Sequence, residues 1–234
     1  MQIGKRLATI ADMVPEGSIL ADIGTDHAYL PVWLLERGLI RRAIVSDIAK
    51  GPCQAARGTV AIHHLEGLVD IRLGNGLSVL RPNEVDCIVI AGMGGNNIIS
   101  ILQADMERAC QANLLILQPM SDASRVRYWL CSNGWVLEEE KLVDDTPYLY
   151  EIISAVRGES PFFTEAEYIV GPLLLRNRHP FLAKQFELLL LHYEKLLEGM
   201  NRSVKAREST KFKKISSLKT ALEVLKNEYI SNSK

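Results

Sequence analysis

The chain has 234 residues, 47% hydrophobic and 24% charged, a soluble globular composition with length for one large domain or an ordinary domain plus a small one. Its four cysteines, Cys53, Cys87, Cys110 and Cys131, form no C-x-x-C pair and no His/Cys cluster at zinc spacing, which argues against a disulfide scaffold or a bound metal and for a reducing compartment. Nothing reads as a signal peptide or approaches the roughly 18 continuous apolar residues of a membrane span, so a cytoplasmic protein without a membrane partner is expected.

The N-terminal stretch MQIGKRLATIADMV is amphipathic. Short β-rich runs then alternate with helical patterns, the mark of a parallel sheet covered by helices. Residues 18–23 read as the first strand and 27–38 as a helix ending at Gly38, followed by a strand at 42–47 and a helix at 50–64. Strands at 69–73 and 85–91, a helix at 96–110, a strand at 113–118 and a helix at 122–132 continue the series. Asn133-Gly134 reads as the C-cap of that last helix. Residues 135–143 and 147–156 then read as two strands with no helix between them, joined by a turn around Asp144, Asp145 and Pro147. That is an antiparallel hairpin at the edge of the sheet. A Rossmann-like α/β fold is expected, and the closing hairpin favours, by analogy, the sheet of methyltransferases over that of dinucleotide-binding domains.

The turn-rich segment 158–167 marks a boundary, giving expected domains at 1–160 and 161–234. Beyond Pro180 the pattern is helical. Phe186, Leu189, Tyr193, Leu196 and Met200 form one apolar stripe, and Ile215, Leu218, Leu222, Leu225 and Tyr229 another, each with the spacing of a coiled-coil seam. The polar stretch 201–210 between them predicts an antiparallel helical hairpin with both stripes in its core. Residues 201–234 carry nine Lys/Arg, Lys234 included, against three Glu, which leaves residues 1–200 at a net −7. Such asymmetry points to a polyanionic partner or to a solvated helix face.

The strand ends hold the chemistry. After the first strand come Asp22, Gly24, Thr25, Asp26 and His27, where a dinucleotide site would need G-x-G-x-x-G. A carboxylate there repels pyrophosphate but attracts the sulfonium and ammonium of S-adenosylmethionine; Asp26 as a helix N-cap is the plainer alternative. Asp47, closing the second strand, is placed for ribose hydroxyls or for a helix cap. Gly74, Asn75 and Gly76 after the third strand suit an adenine edge, with Leu77 packing on its face, or an ordinary Asn-Gly turn. After the fourth strand Gly92, Met93, Gly94 and Gly95 indicate close backbone approach, and after the fifth Gln118 offers two-sided hydrogen bonding with Pro119 stiffening the loop. Met93 and Met120 equally suit plain packing.

The segments DIGTDHAYLP (22–31), SDI (46–48), GNGL (74–77), AGMGG (91–95) and LQPM (117–120), with the C-terminal coiled coil, resemble the TrmK family over essentially the whole chain. That resemblance implies S-adenosylmethionine-dependent methylation of N1 of adenosine 22 in bacterial tRNA. It places Asp22, Gly24 and Asp26 in the first cofactor motif, Asp47 at the ribose and Asn75 at the adenine, and Thr25, His27, Ile48, Gly74, Gly76 and Gly92 beside them are expected as cofactor residues too. Met93, Gly94, Gly95, Gln118 and Pro119 fall at the substrate, and position 75 is expected to be Asp in many relatives. N1 of adenine attacks without losing a proton, so no strong base is demanded, and Asp26 is the candidate to stabilise the developing cation. His27 and Tyr29 are candidates for stacking or orienting. The alternatives are a methyltransferase for a small molecule or protein, with the hairpin a dimerisation device, and a non-catalytic RNA-binding protein with a vestigial nucleoside pocket. The oligomeric state is left open.

Overall fold

The structure, a computed structural model, describes residues 1–231, so Lys234 of the basic run lies outside the described residues. The chain forms two compact units, Met1–Pro161 and a second that begins at Phe162.

The first unit runs α1 (Lys5–Ala11), β1 (Ser18–Ile23), α2 (Tyr29–Glu36), β2 (Ile40–Asp47), α3 (Lys50–Ile62), β3 (Val69–Leu73), β4 (Cys87–Gly94), α4 (Gly95–Ala104), α5 (Met106–Gln111), β5 (Leu114–Ser121), α6 (Ala123–Ser132), β6 (Trp135–Asp145) and β7 (Tyr148–Arg157). The seven strands lie in the order β3-β2-β1-β4-β5-β7-β6. The first five are parallel, and β7 returns antiparallel between β5 and the edge strand β6. A Rossmann-like α/β sheet closed by an antiparallel hairpin is thus what the chain forms. Central strands read as continuous apolar runs because both faces are covered: Leu20, Val89, Ile90, Leu115 and Leu117 are almost fully buried. Each such side chain contributes about 1.5–3 kcal/mol by leaving water.

Among the boundaries that differ from the sequence reading, three have a clear local feature. The helix expected over 96–110 is two helices, because Asp105 leaves helical geometry (φ −149°, ψ 63°) and its side chain caps α5 by accepting from the Arg108 amide. The second helix begins at Tyr29 rather than at residue 27, after Ala28 in the left-handed region. β4 runs on to Gly94 through a register irregularity at Gly92.

Where the sheet changes direction, α6 carries a fully buried Arg127. Its guanidinium pairs with Glu140 of β6 and, at 2.5 Å, with Glu151 of β7. Burial works against its charge, but the two carboxylates outweigh that and hold its pKa above the ordinary value.

The second unit contains α7 (Glu165–Val170), α8 (Pro172–Arg176), α9 (Leu182–Asn201), α10 (Val204–Arg207) and α11 (Thr210–Ser231). α7 lies partly in the stretch read as a boundary; a capping box between Thr164 and Glu167 nucleates it. α9 and α11 pack antiparallel, with the rings of Phe186 and Tyr229 6.1 Å apart and Lys219 3.4 Å from Glu194. The seam is narrower than the two stripes implied. Phe186, Ile215 and Leu222 are buried, whereas Leu196 is 38% exposed. A straight helix drifts about 20° per heptad from a 3.5-residue repeat, which turns the far end of a long stripe outward.

Removing the Arg127 cation takes its ion-pair partner away from buried Glu140. Arg127→Ala should lower unfolding free energy by about 3–5 kcal/mol, read by urea denaturation. Arg127→Met combined with Glu140→Leu should recover most of that loss, and equal destabilisation in both variants would show that packing, not charge, is what Arg127 supplies.

Candidate cofactor cleft and target site

The carboxyl ends of β1, β2, β3 and β4 line up on one edge of the sheet, and two cavities open there, meeting at Gly24. Gly24 sits at φ +77°, with its amide and that of Thr25 donating to the Ser46 carbonyl. A Cβ at this position would meet the end of the Met93 side chain, which would have to move aside.

One half, a cavity of about 330 Å3, is lined by Asp47, Ile48, Gly74, Asn75 and Gly76 from the ends of β2 and β3, with Met93 and Ile101. Asp47 accepts from the Ala49 amide at 2.7 Å, so the carboxylate also shapes the entry to α3. Ile48 is 70% exposed at the rim, an apolar surface open to a ligand. Leu77, expected against an adenine face, is instead buried in the core, because residues 76–79 form a 3-10 turn that rotates it inward. Ile101 and Met93 line the cavity in its place.

The other half, about 360 Å3, is lined by Asp22, Thr25, Asp26, His27 and Gly92, together with Arg6, Leu7 and Tyr29. Burial pushes the Asp22 carboxyl up to about 6, against the pull of a Thr25 hydrogen bond and of the Arg6 charge. The Thr25 hydroxyl also accepts from the Ala28 amide at 3.1 Å, holding the turn in which Ala28 is left-handed. Asp26 makes no helix cap: its side chain is 76% exposed, with one oxygen 3.3 Å from His27 Nε2. His27 in turn stacks on Tyr29, with rings 5.0 Å apart and nearly parallel.

Two residues read as facing a substrate have internal partners instead. Gln118 is fully buried; its Oε1 accepts from Arg6 at 2.5 Å and from the Gly92 amide at 3.1 Å, and its Nε2 donates to the Pro119 carbonyl at 3.0 Å. Its amide thus fixes the Gly92 turn (φ +79°) and aims Arg6 rather than meeting a base. Gly95 is buried against the carbonyls of Ser121 and Asp122, where a Cβ would lie within 2.8 Å of both, so its lack of a side chain serves packing. Gly94 pairs with Ser121, and Pro119 with Met93, at the joined ends of β4 and β5. Arg6 is the residue that sequence reasoning missed: no motif announces it, and only the amphipathic pattern of α1 hints that one face of that helix is held against the sheet.

Among the described residues no group of three or more His, Cys, Asp or Glu is placed to hold a metal ion, and no helix is long and apolar enough to cross a membrane.

Comparison with known proteins agrees with this geometry. Residues 3–153 match the family described as a methyltransferase domain. The chain is 31% identical to the tRNA (adenine(22)-N(1))-methyltransferase of Bacillus subtilis, over 97% of this chain and 96% of the relative. Its structure resembles the crystal structure of the B. subtilis M1A22 tRNA methyltransferase TrmK, at 31% identity and a TM-score of 0.85, covering 98% and 99% of the two chains. It is equally similar to Streptococcus pneumoniae Sp1610 crystallised in complex with S-adenosyl-L-methionine, at 31% identity and TM-score 0.85, covering 96% and 99%. With a methyltransferase-domain match over most of its length and end-to-end similarity to these proteins, the chain belongs to the tRNA (adenine(22)-N(1))-methyltransferase family.

Proposed function

We propose that the protein methylates N1 of adenosine 22 in bacterial tRNA, with S-adenosylmethionine as methyl donor. The observation that carries this reading is the divided cleft: acidic and amide groups for a nucleoside in one half, and a buried carboxylate beside a guanidinium in the other. A buried Asp22 with a raised pKa is a group waiting for a cation, which fits the ammonium of the donor. Arg6 suits the carboxylate of the same amino-acid end. Asp47 accepts from ribose hydroxyls and Asn75 pairs with the adenine edge, while Ile48, Met93 and Ile101 cover its faces. The donor supplies an electrophilic methyl on a sulfonium. The protein's share is to hold the two reactants in line and to place negative charge where the base becomes cationic. Asp26, exposed at the cleft mouth beside His27, is the candidate for that second task.

The helical unit fits tRNA phosphates. Arg202, Lys205, Arg207, Lys211 and Lys213 are all exposed and cluster around the link between α9 and α11. The domain roles follow: catalysis in residues 1–160, tRNA binding in 161–234. The cytoplasm is the compartment that a tRNA substrate implies.

Incubation with unmodified tRNA transcript and S-adenosylmethionine should yield 1-methyladenosine by nucleoside mass spectrometry, and none when adenosine 22 is replaced by guanosine. A methylated nucleoside that survives the replacement would move the target elsewhere. In the same assay Asp26→Asn should lower kcat with little change in donor affinity.

Asp22 links the cleft to stability. Its folded-state pKa of about 6 exceeds the ordinary 3.8, so its contribution to stability is greatest below 3.8 and is lost as pH rises through about 6. The ionised group costs about 3 kcal/mol above that window. Asp22→Asn should therefore melt higher than the natural protein at pH 8, with the gap closing towards pH 4, while donor affinity falls. A gap independent of pH would show that the carboxylate is not held in this desolvated state.

Charge reversal at Lys211 and Lys213 in the full chain should weaken tRNA binding and flatten its dependence on salt. An unchanged salt slope would remove the helical unit from the tRNA interface.

A further inference from the structure

Beside the cofactor cleft a smaller cavity, about 170 Å3, opens between the end of β5 and the start of β7. Pro119, Met120 and Asp122 form one wall, Tyr148 and Tyr150 the other. Met120 and Tyr148 are 51% and 59% exposed, apolar surface left open at the cavity mouth. Tyr148 and Tyr150 lie two apart on one strand, so both project from the same face of β7. Their ring centroids are 5.8 Å apart and the planes tilt by 34°, a broad aromatic platform.

The opposite wall carries polar groups that the fold itself leaves under-used. Asp122 is left-handed (φ 57°) at the N-cap position of α6, yet its carboxylate makes no capping bond there. It accepts from the Ser121 hydroxyl at 2.9 Å, and a carboxylate has room for several more donors. The cavity is also built into the reaction site. Met93 and Gly94 pair in register with Pro119 and Ser121, and Gly95 packs on the Ser121 and Asp122 carbonyls. Arg6, which lines the amino-acid half of the cleft, stands 5.5 Å from the centre of the Tyr150 ring.

We propose that this slot receives the target adenine, with Tyr148 and Tyr150 stacking on the ring and Asp122 accepting from its exocyclic amino group. The inference rests on the tRNA methyltransferase reading above and adds the base-recognition site to it. The exocyclic group of adenine is a donor where guanine presents an acceptor oxygen, so a carboxylate attracts the first and repels the second. Because Asp122 holds the amino group, the N1 lone pair stays free. As the N1–CH3 bond forms, the S–CH3 bond breaks; the positive charge passes from sulfur to the base and no proton moves. Both walls suit that product, the carboxylate by charge and the tyrosine faces by their negative quadrupole. A base extruded from a helical arm also regains on the platform part of the stacking that it loses.

The test uses full-length Tyr148→Ala, Tyr148→Phe and Asp122→Asn. Tyr148 is exposed and Asn tolerates left-handed geometry, so all three should fold, with donor affinity by calorimetry as the control. Steady-state kinetics are measured on transcripts carrying adenosine or purine riboside, which lacks the amino group, at position 22. Tyr148→Ala should lower kcat/KM by about tenfold or more while Tyr148→Phe keeps it, since the stacking is the ring's and not the hydroxyl's. The natural protein should prefer adenosine to purine riboside, and Asp122→Asn should shrink that preference. If the natural protein methylates adenosine 22 but kcat/KM is unmoved by Tyr148→Ala and the preference is unmoved by Asp122→Asn, the slot is wrong and the function stands. If the natural protein leaves adenosine 22 unmethylated, the functional reading fails and the slot falls with it.

Discussion

A buried guanidinium holds the joint where the sheet stops being parallel. Strand β7 enters between β5 and β6 in the opposite sense, and Arg127 on α6 reaches Glu140 and Glu151, one on each strand of the hairpin. Such a cluster adds little net stability compared with apolar residues of the same volume, because Arg127 and Glu140 have left water entirely and Glu151 in large part. What it supplies is position. Two carboxylates on neighbouring antiparallel strands meet one cation only in a single register, so the hairpin cannot slip without leaving a buried charge unmatched. The start of β7 is thereby placed against the end of β5, which completes the wall beside the cofactor cleft.

The cleft shows the same use of buried polar groups to place others. One amide, Gln118, joins three elements: it receives Arg6 from α1 and the Gly92 amide from β4 while standing on β5. Asp22 works in the opposite way. Its carboxylate is desolvated in the absence of a ligand, which weakens the fold at neutral pH and leaves strong attraction for a cation. Stability is given up at a buried carboxylate of the cleft proposed for the donor, an arrangement common at functional sites.

Much of this was legible in the sequence, for identifiable reasons. Strands 18–23 and 69–73 have the expected limits because short runs rich in β-branched and aliphatic residues end abruptly at Gly24 and Gly74. The strand-end groups Asp22, Asp47 and Asn75 converge because parallel strands present every carboxyl end on one edge. The misses share a cause. Leu77, Gln118 and Gly95 are read from residue type and Leu196 from spacing alone, whereas their surroundings depend on which way a turn or helix faces and on what packs there. The break at Asp105 went unread because apolar spacing continues through it, and the Thr164–Glu167 box because turn-forming residues surround it.

By itself the sequence determined the order of the elements, the parallel sheet with its antiparallel close, and the chemical character of each strand end. Those are local matters, set by apolar periodicity, glycine positions and the residues immediately after each strand. Only the tertiary structure decided that Arg6 stands in the cleft, that Gln118 faces inward and that Tyr148 and Tyr150 open beside the fifth strand. The Arg6–Gln118 contact joins residues 112 apart, and the tyrosine pair reaches the site because an antiparallel strand returns beside β5. Contacts of that kind follow from how finished elements pack, and no stretch of neighbouring residues encodes them.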